Sequence, residues 1–515
     1  MPGSAIQVGP FVGGLNTFSD PSAIADNELA VCENFELDLD GSLKSRPPIE
    51  DLEIDFPLDS LSGNIKLLGY YYDTNNSAYL LASDGNSSTY YFTGSSWVLV
   101  TDTFAAAAFI QYNDKAWLAA PYGSVNPGGY WLPATGFFPD ANMPKGECLV
   151  AFKGRLWIAE GKDTIGQGTR LYRSQTLADP SLWVASNDFI DIGSGDGQNI
   201  VQIVVYFNSL LIFRLNSIYS LQYTSDPAAA VVSLIVPNIG LNSVNALDIF
   251  ENYIYFMYDD KAYEFSNNKA TQINVKVPFT SETTTGIYMP FVVSEFNNRI
   301  VFSYYDKMYV YNLRTRSWTN WVSESYGCVR KLVRQDTALD TPVVITHSTT
   351  SVPIGPSRVG KTLKITDEAG TAVEEMECTL RTKNYNYQAS SVYKRLFWWG
   401  LDATFKGDVV GTASAITYTY SVIWQTLFNN EDWQNMTTFT WGSPQAAAPE
   451  ATTTVTENSA ANVRSFVKFL KSLRFRQIYF TLIFQSDGSA SSAPVRVFSI
   501  MTYVNPKQTV SKELS

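Results

Sequence analysis

Between Ile65 and Trp321 the chain repeats one short unit: an aromatic residue, a tight polar turn, then an apolar triplet. Tyr112 and Asn113-Asp114-Lys115 lead into Ala116-Trp117-Leu118; Phe152 and Lys153-Gly154-Arg155 lead into Leu156-Trp157-Ile158; Phe296 and Asn297-Asn298-Arg299 lead into Ile300-Val301-Phe302. Phe207 and Phe250 open two more copies, and Tyr72 opens a looser first one. Anchors at 72, 112, 152, 207, 250 and 296 place the copies 40 to 55 residues apart. Each copy reads as a β-hairpin, with turn formers between β-branched and aromatic residues. A third strand follows in every copy and carries a tyrosine: Tyr90, Tyr130, Tyr172, Tyr219, Tyr263 and Tyr309. A fourth closes several copies, at Ser96–Leu99, Leu182–Val184 and Ser317–Trp321.

Four short strands at this period are the signature of a β-propeller blade. One blade cannot bury both faces of its own sheet, so blades must stack around an axis. A large sandwich or a β-helix also has regular strand spacing, but the fixed order of turn, triplet, Tyr strand and Trp strand favours blades. A seventh unit is sketched by Val343–Ile345, Leu363–Ile365 and Val373–Met376 without the aromatic anchor, leaving six to eight blades open.

Charged residues make up only 17% of the 515 residues, whereas Tyr and Phe number 30 each. That balance favours strands over exposed helical faces. The net charge of −12 argues against a protein whose main task is gripping nucleic acid. Cys32, Cys148, Cys328 and Cys378 are scattered and form no CxxC pair, so free thiols made in a reducing compartment are expected. The first residues show no charged stretch followed by an apolar run, so no signal peptide is read there. The apolar run Ile200–Phe213 is broken by Gln202 and Asn208 and reads as a blade hairpin.

Residues 1–60 precede the repeats as an arm. Val31–Leu37 alternates as a half-buried strand, Asp40-Gly41 signals a hairpin, Ser42–Arg46 returns, and Pro47-Pro48 ends it. The series Gly13-Gly14-Leu15-Asn16-Thr17, Asp20-Pro21-Ser22, Ala25-Asp26-Asn27-Glu28-Leu29, Asn34-Phe35 and Asp40-Gly41-Ser42-Leu43-Lys44-Ser45-Arg46-Pro47 resembles the opening of propeller-containing bacteriophage tail proteins of the tail nozzle (tail tubular protein B) type. It spans about 35 residues; the repeats behind it are similar to that class in architecture, not residue by residue. The resemblance implies a virion tail protein assembled in the host cytoplasm. It also implies a ring, as a hexamer, with adaptor or portal-side proteins and fibres or spikes as partners and DNA passing through its lumen unbound. In that class, segments before and after the propeller join into a platform, so residues 1–60 are expected to pack on the C-terminal domain.

From about Met376 the strands lengthen and the blade unit stops. An all-β chain is therefore expected: arm 1–60, propeller 61–375, and an antiparallel β-sandwich over 376–515. Two features there are candidate interfaces. One is the basic run Arg464, Lys468, Lys471, Arg474 and Arg476. Its apolar–basic alternation reads as the solvent face of a strand or as a charged subunit contact, rather than a DNA grip. The other is Lys394, Arg395, Trp398 and Trp399, where aromatics beside charge suit both an interface anchor and a sandwich core.

His347 is the only histidine, so Ser-His-Asp and Cys-His catalysis and His-based metal sites find no second ligand or base. The stretch Asp191–Gly197 superficially resembles a Ca²⁺ loop, but nothing completes it and a Gly-rich turn is expected. No P-loop or dinucleotide motif occurs. No catalytic residue, metal or cofactor is assigned and the chain is read as non-enzymatic. A glycosidase needs only two placed carboxylates, so a tail depolymerase is the rival, with a host-surface-binding propeller as a third reading.

Overall fold

The computed structural model describes residues 4–46, 49–55, 66–84, 87–93, 96–160, 168–175, 183, 188–193, 197–280, 292–296, 298–304, 307–322, 329–333, 343–346, 361–365, 377–385, 394–405, 416–426, 453–457, 463–475, 478–485 and 495–506. Among these, strands dominate and the one helical element is a 3-10 turn at Pro227–Ala229. Seven four-stranded antiparallel units follow one another, six as separate sheets and one inside a ten-stranded sheet. They are the blades of a β-propeller. Blades 1 to 6 begin at Lys66–Tyr72, Ala108–Tyr112, Cys148–Phe152, Ile200–Tyr206, Leu247–Phe250 and Val292–Phe296. Blade 7 consists of Val329–Val333, Val343–Thr346, Lys361–Ile365 and, as its outer strand, Ile49–Asp55 from the N-terminal arm.

The repeated unit sits where its chemistry requires. Asn113-Asp114 and Lys153-Gly154 are two-residue turns with positive φ throughout, the hairpin geometry that matches strand twist. The triplets are apolar at every position because a blade is covered on both faces. In blade 2, Ala116 and Leu118 pack with Leu68, Tyr71 and Leu81 of blade 1, while Trp117 between them packs with Leu149, Leu156 and Ile158 of blade 3. Trp157 in turn faces Ile203 and Leu210 of blade 4. Trp117 and Trp157 are fully buried, and truncating such a side chain costs about 3–5 kcal/mol.

Polar groups staple neighbouring blades. Tyr71 Oη donates to Asp114 O at 2.7 Å and Tyr206 Oη to Asn252 O at 2.9 Å. Gln111 Nε2 donates to Tyr72 O at 2.8 Å while its Oε1 accepts from Tyr72 N at 3.0 Å. Gln202 Nε2 donates to Val244 O at 3.1 Å.

Three sequence assignments need correction. Tyr72, Tyr112, Phe152, Phe250 and Phe296 end first strands, but in blade 4 Tyr206 holds that place. Tyr206 pairs with Ser209, so Phe207 is the turn residue, at φ 50 and 69% exposed. The outer strand of blade 3 is Phe189–Asp191, not Leu182–Val184; Trp183 is instead a buried plug packed with Trp117 and Tyr172. The blade 7 outer strand is Ile49–Asp55, so this part of the arm belongs to the propeller; Val373–Met376 lies outside the described residues.

The remaining strands form a sandwich. One sheet runs Val463–Phe475, Lys394–Phe405, Val495–Pro506, Leu43–Ser45 and Phe35–Leu37, with Ser4–Val8 also on Val495–Pro506. The facing sheet runs Glu28–Glu33, Glu377–Thr382, Ile478–Gln485, Ile416–Thr426 and Thr453–Glu457. Val8, Leu43, Val497 and Ile500 from the first and Leu29, Cys32, Cys378 and Leu380 from the second share one core, continuous with Phe256, Phe302 and Trp318 of blades 5 and 6. Glu28–Glu33 also touches Ser317–Trp321, so blade 6 continues into the sandwich sheet. Cys32, Cys148 and Cys378 are buried and unbridged; Cys328 lies outside the described residues.

The Tyr71→Phe and Tyr206→Phe variants should each lose about 1 kcal/mol of stability in urea unfolding. The staples join different blade pairs, so the double variant should lose the sum of the two. A double variant no weaker than either single would show that the staples do not contribute independently.

Candidate functional site

The arm meets blade 6 and the sandwich at Asn34, which has φ 58, a left-handed conformation that asparagine tolerates better than most residues. Its backbone N–H donates to Asn320 O of blade 6 at 2.7 Å, and its carbonyl accepts from Arg46 N at 2.9 Å and from Cys378 Sγ at 3.3 Å. Its Nδ2 donates to Glu377 O at 2.6 Å, while Oδ1 accepts from Val322 N and Arg46 Nε, both at 2.8 Å. The Arg46 guanidinium, 2% exposed, also donates to Val322 O at 3.0 Å. Arm, propeller and sandwich are thus tied through one amide and one guanidinium.

Further ties surround this node. Glu28 accepts from Asn16 Nδ2 and Ala25 N, each at 2.9 Å, and pairs with Lys276 Nζ at 2.6 Å on the blade 5–6 connection. Burial works against the Glu28 carboxylate, but Lys276, the Ala25 N–H and the Asn16 amide outweigh it and hold the carboxyl below its ordinary range. Glu36 pairs with Arg299 of blade 6. Arg496 donates to Asp38 at 2.9 Å, Asp40 at 2.8 Å and Ser42 Oγ at 2.7 Å, binding the hairpin to the last sandwich strand. Two glycines have no substitute here. Gly41 lies at φ +77 with a Cβ position 2.5 Å from Pro10 Cβ; Gly14 lies at φ +65 with its Cβ position 2.8 Å from Ser317 Cβ. Between the hairpin and blade 6 lies an open polar cleft of about 280 Å³, with Lys44, Asp38, Arg299 and Arg314 on its walls.

The basic run and the aromatic cluster come together. Arg464, Lys468, Lys471 and Arg474 lie on Val463–Phe475, and Lys394, Arg395, Trp398 and Trp399 on the adjacent strand Lys394–Phe405. Register sets Arg395 opposite Arg474, Trp398 opposite Leu470, Trp399 opposite Phe469 and Gly400 opposite Lys468. Val463–Phe475 ends the order of its sheet. Arg476 and His347 lie outside the described residues, as do Ser194–Asp196 of the Gly-rich turn. Gly193 of that turn packs against the guanidinium of buried Arg214, which donates to Gln198 O. Among the described residues no group of three or more His, Cys, Asp or Glu could hold a metal ion, and no helix is long and apolar enough to cross a membrane. The joint residues Asn34, Arg46 and Glu28 carry several of the described interdomain contacts, although none was a candidate site residue from sequence. For Asn34 the signal was a polar residue within the alternating stretch Val31–Leu37, which by itself reads as solvent-facing.

No family profile and no curated protein sequence matches the chain. Among solved structures, it is similar to BamB from Moraxella catarrhalis, at 10% identity and TM-score 0.37, covering 63% of this chain and 98% of that one. It is similar to BBS1N, solved in complex with ARL6DN, at 11% identity and TM-score 0.40, covering 64% and 99%. The WD40 domain of Neurospora crassa Pan2 is similar at 7% identity and TM-score 0.40, covering 65% and 98%.

Arg46→Met should lower stability by about 2–4 kcal/mol, because the buried guanidinium is lost, the Val322 carbonyl loses that donor and Asn34 Oδ1 keeps only the Val322 N–H. Urea unfolding at pH 7 measures it, and a loss under 0.5 kcal/mol, roughly that of a surface change, would contradict the joint. Glu28 makes a pH-dependent contribution. Its folded pKa is depressed below 4.5, so its stabilisation is present above that value and fades as pH falls through the folded pKa. The gap in melting temperature between wild type and Glu28→Gln should therefore be largest near neutrality and narrow below pH 4.5. A gap independent of pH would refute the assignment.

Proposed function

We propose that this chain is a structural component of a bacteriophage tail, the subunit of a nozzle ring through which DNA leaves. The observation that carries the proposal is the arm. Several residues in which the sequence resembles the nozzle class fasten the arm to its neighbours: Glu28 to Lys276, Asn34 to blade 6 and the sandwich, Arg46 to Val322, and Asp40 to Arg496. A tail ring must carry load between its neighbours without its domains swinging. A propeller with triplets such as Ala116–Leu118 and Leu156–Ile158 buried on both faces, bonded to a sandwich through a shared core, supplies such a brick.

Charge supports the same reading. A conduit must let DNA slide, and carboxylates repel phosphates over about 10 Å at ordinary salt. The net charge of −12 provides carboxylates for such a wall. The basic residues Arg464, Lys468, Lys471 and Arg474 then belong to subunit or partner contacts, away from the channel. A hexamer, attachment of adaptor and fibre proteins, and assembly in the host cytoplasm are parts of this proposal. A closed ring of identical subunits uses two different patches of each, meeting head to tail.

Electron cryomicroscopy of virions carrying this protein tests the proposal. The expected result is a ring of copies around the DNA path with strand Val463–Phe475 outside the lumen. A single peripheral spike, or that strand lining the DNA path, would overturn it. Release of reducing sugar from host polysaccharide by the purified protein would replace it with the depolymerase.

A further inference from the structure

Two sheet edges of this chain carry opposite charge. Ile49–Asp55, with Glu50, Asp51, Glu53 and Asp55, is the outer strand of blade 7. Val463–Phe475, with Arg464, Lys468, Lys471 and Arg474, ends the sandwich sheet. Among the described residues each is laddered to a strand on one side only, and the two do not pair with each other within the chain. Each therefore offers a row of backbone donors and acceptors on its other side.

Register sets an opposite charge across from only some of these positions. On the acidic edge, Glu50 lies opposite Lys364 and Asp55 opposite Lys361, but Asp51 lies opposite Leu363 and Glu53 falls within the register shift. On the basic edge, Arg474 lies opposite Arg395, and Asp402, the one acid of the partner strand, lies opposite Phe466 and is buried. Like charges directly opposite destabilise a strand pair unless an opposite charge joins them.

Charge on an open edge opposes pairing with a copy of the same edge. Acidic against acidic and basic against basic are both repelled here, so neither edge favours a two-fold contact with itself. Acidic against basic is the one combination that attracts, and it is head to tail. We propose that Ile49–Asp55 of one copy pairs edge to edge with Val463–Phe475 of a second copy, continuing blade 7 into the neighbour's sandwich sheet. The chain already uses this device internally, where Glu28–Glu33 carries blade 6 into its own sandwich sheet. The inference rests on the ring reading above and names the surface that closes it.

Charge reversal on each edge separately tests the pairing, with native mass followed by sedimentation against concentration and salt. Arg464→Glu with Lys468→Glu and Lys471→Glu makes the basic edge net acidic; Asp51→Lys with Glu53→Lys and Asp55→Lys makes the acidic edge net basic. Each triple variant alone should have an apparent Kd for self-association raised at least about tenfold. An equimolar mixture of the two should recover wild-type association, because each then offers the edge that the other needs. Wild-type association should weaken as salt rises. Two results would overturn the pairing while leaving the ring intact: either reversed variant assembling like wild type, or the mixture failing to recover while both variants keep wild-type circular dichroism and melting. If a reversal does not fold, the milder pair Lys468→Gln with Lys471→Gln and Asp51→Asn with Glu53→Gln must flatten the salt dependence; an unchanged slope overturns the pairing. A wild type that stays monomeric at every concentration and salt is a different result, and it overturns the ring reading itself.

Discussion

Three parts of the chain depend on the hydrogen bonds around Asn34 and Arg46. Unpaired polar groups in a core cost more than most contacts return, so a buried amide and guanidinium persist only where every neighbour is positioned to meet them. Here the partners come from blade 6 at Asn320 and Val322, from the sandwich at Glu377 and Cys378, and from the arm itself. That geometry cannot be satisfied by arm and propeller without the sandwich. The apolar core running from Val8 and Leu43 to Phe302 and Trp318 supplies the bulk of the attraction, being non-directional. The polar node sets the register.

Ring closure depends on the same segment. Blades 1 to 6 build their outer strands from their own sequence, whereas blade 7 takes Ile49–Asp55 from the arm, shortly after Arg46. An arm held by Arg46 delivers that strand to blade 7 with little slack, and a short link makes the closure entropy small. Joint and closure are thus coupled: the residues between 28 and 55 first bridge blade 6 to the sandwich, then complete blade 7. Charge follows the same economy. Acids used within the joint, such as Glu28 and Glu36, are paired with Lys276 and Arg299. The acidic and basic runs lie instead on strands that end their sheets.

The propeller was legible because its grammar is local. Turn residues such as Asn113-Asp114 and Lys153-Gly154 specify positive φ, and triplets such as Leu156-Trp157-Ile158 report burial on both faces. Phe207 misled by one position because a turn aromatic and a strand-end aromatic look alike in sequence; only pairing of Tyr206 with Ser209 separates them. Trp183 misled for a related reason, since a tryptophan that plugs an interblade core carries the same apolar signal as one in a strand.

The sequence by itself determined the all-β class, the recurring hairpins and the change of texture near Met376, because strand period, turn chemistry and burial are encoded within a few residues. It also held the basic run and the aromatic cluster, though not that they occupy adjacent strands at a sheet end. Tertiary structure alone decided the blade count, the outer strand of blade 7 and the roles of Asn34, Arg46 and Glu28. Each of these joins positions separated by hundreds of residues, as Asn34 is from Glu377 and Ile49 from Ile365. A contact at such separation leaves no periodic trace in either partner. Its energy exists only once both surfaces have folded and met.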